Sequence, residues 1–100
     1  MAIQATRAMT AAAVVASFGE TVNCVGGAYS GPIDAIIDRD AKDYDDNDRV
    51  TGSYIELAVL TEVAAQWGDA PVFTIDSRTY FIDETIDKSA GLNRYALKPT

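Results

Sequence analysis

The sequence contains no histidine and only one cysteine, Cys24, among its 100 residues. Without histidine, serine–histidine and cysteine–histidine catalysis, most catalytic zinc sites and the usual general base near neutral pH are excluded. A lone cysteine forms no disulfide within the chain and gives no argument for an oxidising compartment. No apolar run approaches the length of a transmembrane helix, so we expect no membrane partner. Glycine-rich phosphate loops, Cys-x-x-Cys pairs and serine elbows are also missing.

Basic residues are scarce as well: eight lysines and arginines stand against fifteen acids, and the formal net charge is −7. A chain this acidic does not wrap phosphate backbones, so binding to nucleic acid by the usual electrostatic route is excluded. The apolar content of 48% is ordinary for a globular protein. At this length we expect a single domain over residues 1–100, with a core large enough to fold alone.

The acids are concentrated in residues 38–49, which hold six aspartates and almost no apolar side chain. Three cations, Arg39, Lys42 and Arg49, reduce the net charge of this segment to −3. Such a segment buries too little apolar surface to offset its ordering entropy, so the sequence predicts a mobile, solvated loop over residues 39–52. Loops this long in small domains are usually functional or disordered. The rest of the chain is then a scaffold that holds this loop.

The remaining pattern predicts a mainly β protein. Alanine dominates residues 3–17, which predicts an N-terminal helix within an arm over residues 1–18. From residue 20 onward the apolar period becomes two, and this alternation predicts about six short strands separated by turn residues. The predicted strands cover residues 20–25, 33–38, 53–60, 71–75, 79–86 and 92–98. We expect residues 19–100 to form a small antiparallel β-barrel or sandwich around the long acidic loop.

Two local features refine the predicted barrel. Thr61 and Gly68 suit the start and the end of one short helical turn over residues 61–66. Glu84 falls on the apolar face of its strand, which predicts either a β-bulge or an early end of burial near Asp83.

The acidic loop also invites comparison with a calcium loop. Asp43, Asp45 and Asn47 have the spacing of the first three ligands of an EF-hand. The invariant glycine position is occupied by Asp48 and the closing glutamate position by Tyr54, and strands are predicted on both sides. A solvated acidic loop is therefore favoured, and we expect no metal and no cofactor. A secreted calcium-dependent binding module stays as an alternative from a different functional class.

No set of titratable side chains converges in this pattern. Asp83 and Glu84 are adjacent on a predicted strand and therefore point to opposite faces. Asp45 and Asp46 lie in the predicted loop, which lacks the fixed geometry that acid–base catalysis requires. We therefore expect a protein without enzymatic activity and without catalytic residues.

The order of the sequence features is itself informative. An N-terminal helix is followed by a glycine-rich turn, a strand, a long polar loop, a second strand, a helical turn and further strands. The segments that carry this order are Phe18-Gly19-Glu20-Thr21-Val22, Asp38-Arg39-Asp40, Thr61-Glu62-Val63, Gly68-Asp69, Arg78-Thr79-Tyr80-Phe81-Ile82, Gly91-Leu92 and Tyr95-Ala96-Leu97. In this order nearly the whole chain resembles the head–tail joining proteins of long-tailed bacteriophages, also called head completion or stopper proteins. One departure is Asp76-Ser77, where many members have Asp-Gly.

The resemblance implies a β-barrel subunit of a homo-oligomeric ring, six-fold or twelve-fold, around the DNA channel of the phage neck. The ring would lie in the virion between the portal and its adaptor and the tail terminator or tail tube, after assembly in the host cytoplasm. DNA would pass through it without specific binding. By this resemblance residues 39–52 form the channel or gate loop. The gate residues are Asp40, Asp43, Tyr44, Asp45, Asp46, Asp48 and Arg49.

Contacts with neighbouring subunits or docking partners are expected from Ile3, Arg7, Val14 and Trp67. A short alanine-rich helix is marginal in water and needs a surface to pack on. The isolated chain is expected to be monomeric or weakly associated near micromolar concentration, because it is acidic and shows no continuous apolar stripe on an outward face. A tail terminator or another head–tail adaptor is the alternative within the same particle.

Overall fold

The structure is a computed structural model that describes residues 11–100. In this part the chain forms two helices and six strands. Their bounds are Ala11–Phe18 (α1), Glu20–Val25 (β1), Ser30–Tyr44 (β2), Val50–Leu60 (β3), Thr61–Ala64 (α2), Val72–Ile75 (β4), Arg78–Ser89 (β5) and Leu92–Pro99 (β6). The predicted mainly β fold is confirmed, with its six strands, N-terminal helix and one short helical turn. Within the described residues, no helix is long and apolar enough to span a membrane.

The six strands form a closed barrel in the order β1-β2-β3-β6-β5-β4. Every neighbouring pair is antiparallel. The β1–β4 pairing closes the barrel, with Cys24 opposite Phe73 and Val25 opposite Val72. Because each connection joins strands of opposite direction, turns and helices collect at the two ends. We call these the α2 end, which carries α2, and the arm end, where β2 and β3 extend beyond the barrel.

The core follows the predicted alternation of apolar and polar positions along each strand. Its buried members are Val22, Cys24, Ile33, Ala35, Leu57, Val59, Trp67, Phe73, Ile75, Tyr80, Tyr95 and Leu97. Trp67 is only 3% exposed, and its ring meets those of Phe73 and Tyr95 at centroid distances of 4.9 and 5.6 Å. Trp67 therefore packs inside its own barrel, which leaves little surface for the contact with a neighbouring subunit that is expected from the sequence. The segment after α2 folds back over the barrel end, where the Ala28 amide donates to the Trp67 carbonyl at 2.8 Å.

Helix α2 begins at Thr61, but Thr61 is not its capping residue. Leu60 occupies the capping position, and no side chain caps the helix there. The Thr61 hydroxyl instead donates to Oδ1 of buried Asn93 at 2.9 Å, and Asn93 Nδ2 donates to the Tyr95 hydroxyl at 2.8 Å. This chain of hydrogen bonds satisfies the buried amide and ties α2 to β6.

The two-residue turn between β4 and β5 has positive φ at both central positions, 52° at Asp76 and 67° at Ser77. Consecutive positive φ angles are the type I′ pattern that matches the twist of a hairpin. Ser77 therefore adopts the conformation that glycine provides more easily. The bulge predicted near Asp83 is confirmed by a register shift between Ile82 and Glu84, and a second shift follows between Thr85 and Asp87.

Helix α1 packs on β2 and β3, with Val15 buried and Val14 half-buried. The Gly19 amide donates to the Val15 carbonyl at 2.7 Å where the helix ends. The predicted helix is confirmed from Ala11 onward. Two predicted contact residues, Ile3 and Arg7, lie outside the described residues.

An apolar row crosses the outside of the barrel over three strands. Val25, Val72 and Phe81 are cross-strand neighbours by register. Val25 and Phe81 are exposed, and Val72 is half-buried. The expectation of no continuous apolar stripe on an outward face is therefore wrong. Strand β4, which sequence reasoning placed correctly, lies between β1 and β5 only after the barrel closes, and this brings the three side chains together.

Candidate functional site

The predicted loop over residues 39–52 is mostly a β-hairpin, which we call the acidic arm. Strand β2 runs to Tyr44 and β3 begins at Val50, so the prediction of a loop is wrong for residues 39–44 and 50–52. The register pairs Ala41 with Tyr54 and Asp43 with Gly52. Pairing of β3 with β6 starts only at Ile55, so the arm extends past the body of the barrel.

The arm forms strands despite its charge because it continues a ladder that the barrel has already started. Extending a formed hairpin orders only a few residues at a time. The entropy cost of bringing β2 and β3 together has already been offset by burial of the barrel core. β-Branched and aromatic residues at Tyr44, Val50 and Thr51 favour the pleated conformation. Ala41, only 7% exposed, gives the base of the arm a buried contact. A register shift between Asp38 and Ala41 adds one residue to β2 at the base of the arm, as a β-bulge does.

The tip of the arm is held by one carboxylate. Asp45 Oδ1 accepts the amides of Asn47 and Arg49 at 2.9 and 3.0 Å. The Asp45 backbone amide donates to the Arg49 carbonyl at 3.0 Å, and the Asp48 amide donates to the Asp45 carbonyl at 3.1 Å. Asp48 takes a positive φ of 59°. Asp45 therefore acts as a turn-forming residue, as short polar side chains do when they bond to nearby backbone.

We expect Asp45→Ala to loosen the tip, whereas Asp46→Ala leaves it unchanged. The first replacement removes an acceptor shared by two backbone amides, which is worth about 1 kcal/mol for a hydrogen-bonded turn. Amide hydrogen exchange at Asn47 and Arg49 measures the effect, which appears as faster exchange in the Asp45 variant only. Equal exchange in both variants would contradict the assigned role of Asp45.

The structure brings the seven predicted gate residues together on this single hairpin, and all are exposed. They are Asp40, Asp43, Tyr44, Asp45, Asp46, Asp48 and Arg49. Lys42 Nζ pairs with Asp40 Oδ1 at 2.6 Å, two residues apart on the same face of β2. Their gate role stays a prediction. The arm is a structured element that presents carboxylates and one exposed tyrosine to solvent.

Arg39 ties the base of the arm to two other parts of the barrel. Its Nη1 and Nη2 atoms donate to the Glu20 carboxylate at 2.9 and 2.6 Å. Nε and Nη2 donate to the Asp76 carboxylate at 2.7 and 3.1 Å. Glu20 starts β1 and Asp76 lies in the β4–β5 turn. One guanidinium therefore holds three segments together at the arm end, and we call this arrangement the Arg39 clip. Its paired hydrogen bonds to each carboxylate are a geometry that arginine provides and lysine does not.

The Arg39 clip stabilises the fold less as the pH falls. Hydrogen bonds from Arg39 lower the pKa of both the Glu20 and the Asp76 carboxyl. A carboxyl whose pKa is lower in the folded state stabilises it above its unfolded pKa, and this contribution is lost as the pH falls through the folded value. The loss therefore begins near the usual carboxyl pKa of about 4 and continues below it. All three side chains are substantially exposed, so solvent screens the pairing.

Arg39→Met is expected to lower the thermal midpoint at neutral pH, and its midpoint should approach that of the wild type as the pH falls below about 4. The reason is that acid removes the same pairing that the substitution removes. Thermal unfolding followed across this pH range measures the effect. Lys42→Met is the control, because among residues 11–100 Lys42 pairs only with Asp40 on its own strand. Parallel curves for wild type and Arg39→Met would show that Arg39 does not act through these carboxylates.

A cleft of about 440 Å³ lies between the arm and the outer side of β5 and β6. Its lining residues are Asp43, Gly52, Ser53, Tyr54, Asp83, Glu84, Ile86, Ala96 and Lys98. Burial, followed by the nearby Glu56 charge, raises the pKa of Tyr54. Lys98 pairs with Asp83 at 3.4 Å. Within residues 11–100, no group of three or more potential ligands is placed to hold a metal ion.

Sequence reasoning missed the Arg39 clip and the turn role of Asp45. Arg39 is 19 residues from Glu20 and 37 from Asp76, so no local pattern could connect them. A signal did exist at Asp45, since an aspartate followed by Asn47 two residues later favours a turn that the side chain closes.

No protein-family model matches this chain, and no curated protein matches it. A functional assignment therefore depends on the features of the chain itself, the acidic arm above all.

Proposed function

We propose that the chain is a non-catalytic structural subunit of the bacteriophage neck, where several copies form a head–tail joining, or stopper, ring around the DNA channel. The observation that carries the proposal is the acidic arm. It is a structured hairpin at one end of a closed barrel, and its exposed aspartates are the residues that the family resemblance assigns to the gate. The portal and its adaptor on one side and the tail terminator or tail tube on the other are the proposed partners.

The proposed mechanism is physical. In a ring of identical barrels every arm extends from the same end of its subunit, so arms that point toward the axis together line the channel. A hairpin closed by Asp45 keeps its length better than an irregular loop. The net negative charge of the arms repels DNA phosphates, so the genome passes without adhesion.

The Arg39 clip fits this role because it fixes the base of the arm. An arm that swings freely cannot define the width of a channel. Arg39 bonds to Glu20 and Asp76 on different segments, which couples the direction of the arm to the barrel. Docking on a preformed portal ring would then align all arms at once, since a ring provides neighbouring sites at high effective concentration.

Electron microscopy of intact particles tests the proposal. We expect the barrel in a ring between portal and tail, with the arm tips toward the channel axis. A ring at the tail end of this region would identify a tail terminator instead. Absence of the chain from purified particles, or arms directed away from the axis, would show that the proposal is wrong.

A further inference from the structure

The apolar row on the outside of the barrel belongs to a larger face without charge. Beside it runs a second register row, in which the outward residues of β1, β4 and β5 are polar but uncharged. We call the two rows together the neutral face. Its residues are Asn23, Val25, Val72, Thr74, Thr79 and Phe81.

Charged residues border this face on two sides. Lys98, which is opposite Phe81 on β6, pairs with Asp83 at 3.4 Å. The Arg39 clip borders the arm end. On β2, the register neighbours of Asn23 and Val25 are the uncharged Pro32 and Ser30. An uncharged centre with charges at its edges is typical of protein–protein contact surfaces. In a chain with net charge −7 it is also where another acidic molecule meets the least repulsion.

A second patch of low charge lies on helix α1. The helix sequence AAAVVASF has no charged residue, and Phe18 at its end is 70% exposed. A cleft of about 290 Å³ runs between α1 and the barrel. Its lining residues are Ala12, Val15, Ala16, Tyr29, Pro32, Ile33, Asp34, Leu60, Val63 and Gln66, of which only Asp34 is charged.

The strand order separates the centres of these two patches. Helix α1 packs on β2 and β3. In the closed order β1-β2-β3-β6-β5-β4, strand β4 at the centre of the neutral face lies opposite β3, whereas β1 at its edge adjoins β2. Two different patches on one subunit suit a head-to-tail contact, in which each copy binds one neighbour through each patch.

We propose that the neutral face of one copy packs against α1 and its adjoining cleft on the next copy, and that this is the contact between subunits of the assembly. The occupant of the neutral face is thus a second copy of this chain. Ring closure of the contact rests on the proposed function, whereas the pairing of the two patches does not.

The size of the patch sets the strength of the contact. Six side chains form the neutral face, whereas a stable interface uses about 20–30 residues on each side. The contact is therefore weak in dilute solution and forms when copies are held close together. This agrees with a chain that stays monomeric until it docks.

Cysteine cross-linking tests the pairing with the full chain at high protein concentration. The double variant Thr74→Cys/Ala16→Cys places one thiol on each patch, and both native residues are exposed. Under a mild oxidant we expect a ladder of dimers, trimers and larger species. Native Cys24 contributes no background, because it is fully buried and burial raises the pKa of its thiol to about 11.

The single variants distinguish the possible geometries. Each alone is expected to stay monomeric, and an equal mixture of the two should give dimers and nothing larger. Dimers from Thr74→Cys alone would mean that two neutral faces meet about a two-fold axis, which overturns the head-to-tail pairing. Absence of any ladder from the double variant would also overturn it.

A matched pair of charge substitutions on β5 gives a second test. Phe81 and Ile86 are 39% and 37% exposed, but Ile86 lines the cleft between the acidic arm and the strands β5 and β6 instead of the neutral face. Phe81→Glu in the double-cysteine background should reduce the ladder about tenfold, because the contact would bury an unpaired charge. Ile86→Glu should leave it unchanged. Equal losses from both would point to net charge alone and refute the assigned face.

Failure of the inference can be told apart from failure of the proposed function. Particles that contain the chain in the neck and assemble normally with Phe81→Glu would refute the contact and leave the function standing. A specific ladder from a chain that is missing from particles would support the contact and refute the function.

Discussion

Under the proposed neck function, particles that carry Asp43→Lys, Asp46→Lys and Asp48→Lys are expected to release their DNA more slowly at low salt and to recover as the salt concentration rises. Each replacement changes the arm by two charges, so residues 39–52 go from a net charge of −2 to +4. The three positions are exposed, so the new cations face solvent. Asp45 is left intact because it forms the turn at the tip.

The salt dependence follows from counterion release. Each phosphate contact makes the logarithm of the affinity fall with the logarithm of the salt concentration, with a slope of about −0.9 for duplex DNA. The proposed ring would multiply the number of contacts by the number of arms, so the effect on release should be large. Release rates measured across a salt series provide the test.

The matched control replaces the same three aspartates with asparagine. This removes charge without creating phosphate ligands, so release should stay close to the wild-type rate at every salt concentration. Folding stability should change by no more than about 0.5 kcal/mol for each exposed site. Equal release from lysine and wild-type particles across the whole series would mean that the acidic arm does not face the DNA.

The second large effect is expected in the core. Trp67→Ala should lower the free energy of unfolding by about 3–5 kcal/mol, as for other buried aromatic residues replaced by alanine. The indole packs on Phe73 and Tyr95 and closes the α2 end of the barrel. Since a small domain has a total stability of about 5–15 kcal/mol, this loss brings the variant close to unfolding. Urea unfolding followed by circular dichroism measures it.

Two further variants make the test of Trp67 specific. Phe18→Ala removes an aromatic ring that is 70% exposed and should change stability by no more than about 0.5 kcal/mol. Trp67→Phe should cost less than Trp67→Ala, because it keeps an aromatic ring and removes the buried Nε1, which has no hydrogen-bond partner among the described residues. A Trp67→Ala protein with wild-type stability and failed assembly would instead support the docking role first expected from the sequence.

Local patterns explain why the elements could be predicted. The period-two alternation located β1, β4 and the strands that pair with them. The position of Glu84 on an apolar face indicated the irregularity near Asp83. Each of these signals lies within a few residues of the feature it indicates. Closure between β1 and β4 has no such signal, since Cys24 and Phe73 meet only after the intervening strands are in place.

The acidic segment shows where composition misleads. Six aspartates within residues 38–49 make the isolated segment resemble a disordered loop. Its conformation is decided by the barrel, whose β2–β3 ladder continues into it, and by Asp45 at the turn. The composition of the whole segment hides the contribution of three residues that favour strand pairing, Tyr44, Val50 and Thr51.

The sequence by itself determined the mainly β class, the number of strands, the short helix α2 and the concentration of exposed acid in one segment, because each depends on neighbours in the chain. Only the tertiary structure decided that this segment is a clipped hairpin, that the ring of Trp67 meets those of Phe73 and Tyr95 and that β1, β4 and β5 share an uncharged face. Those properties depend on contacts between residues far apart in sequence, and the direction of a side chain is fixed only when the barrel closes around it.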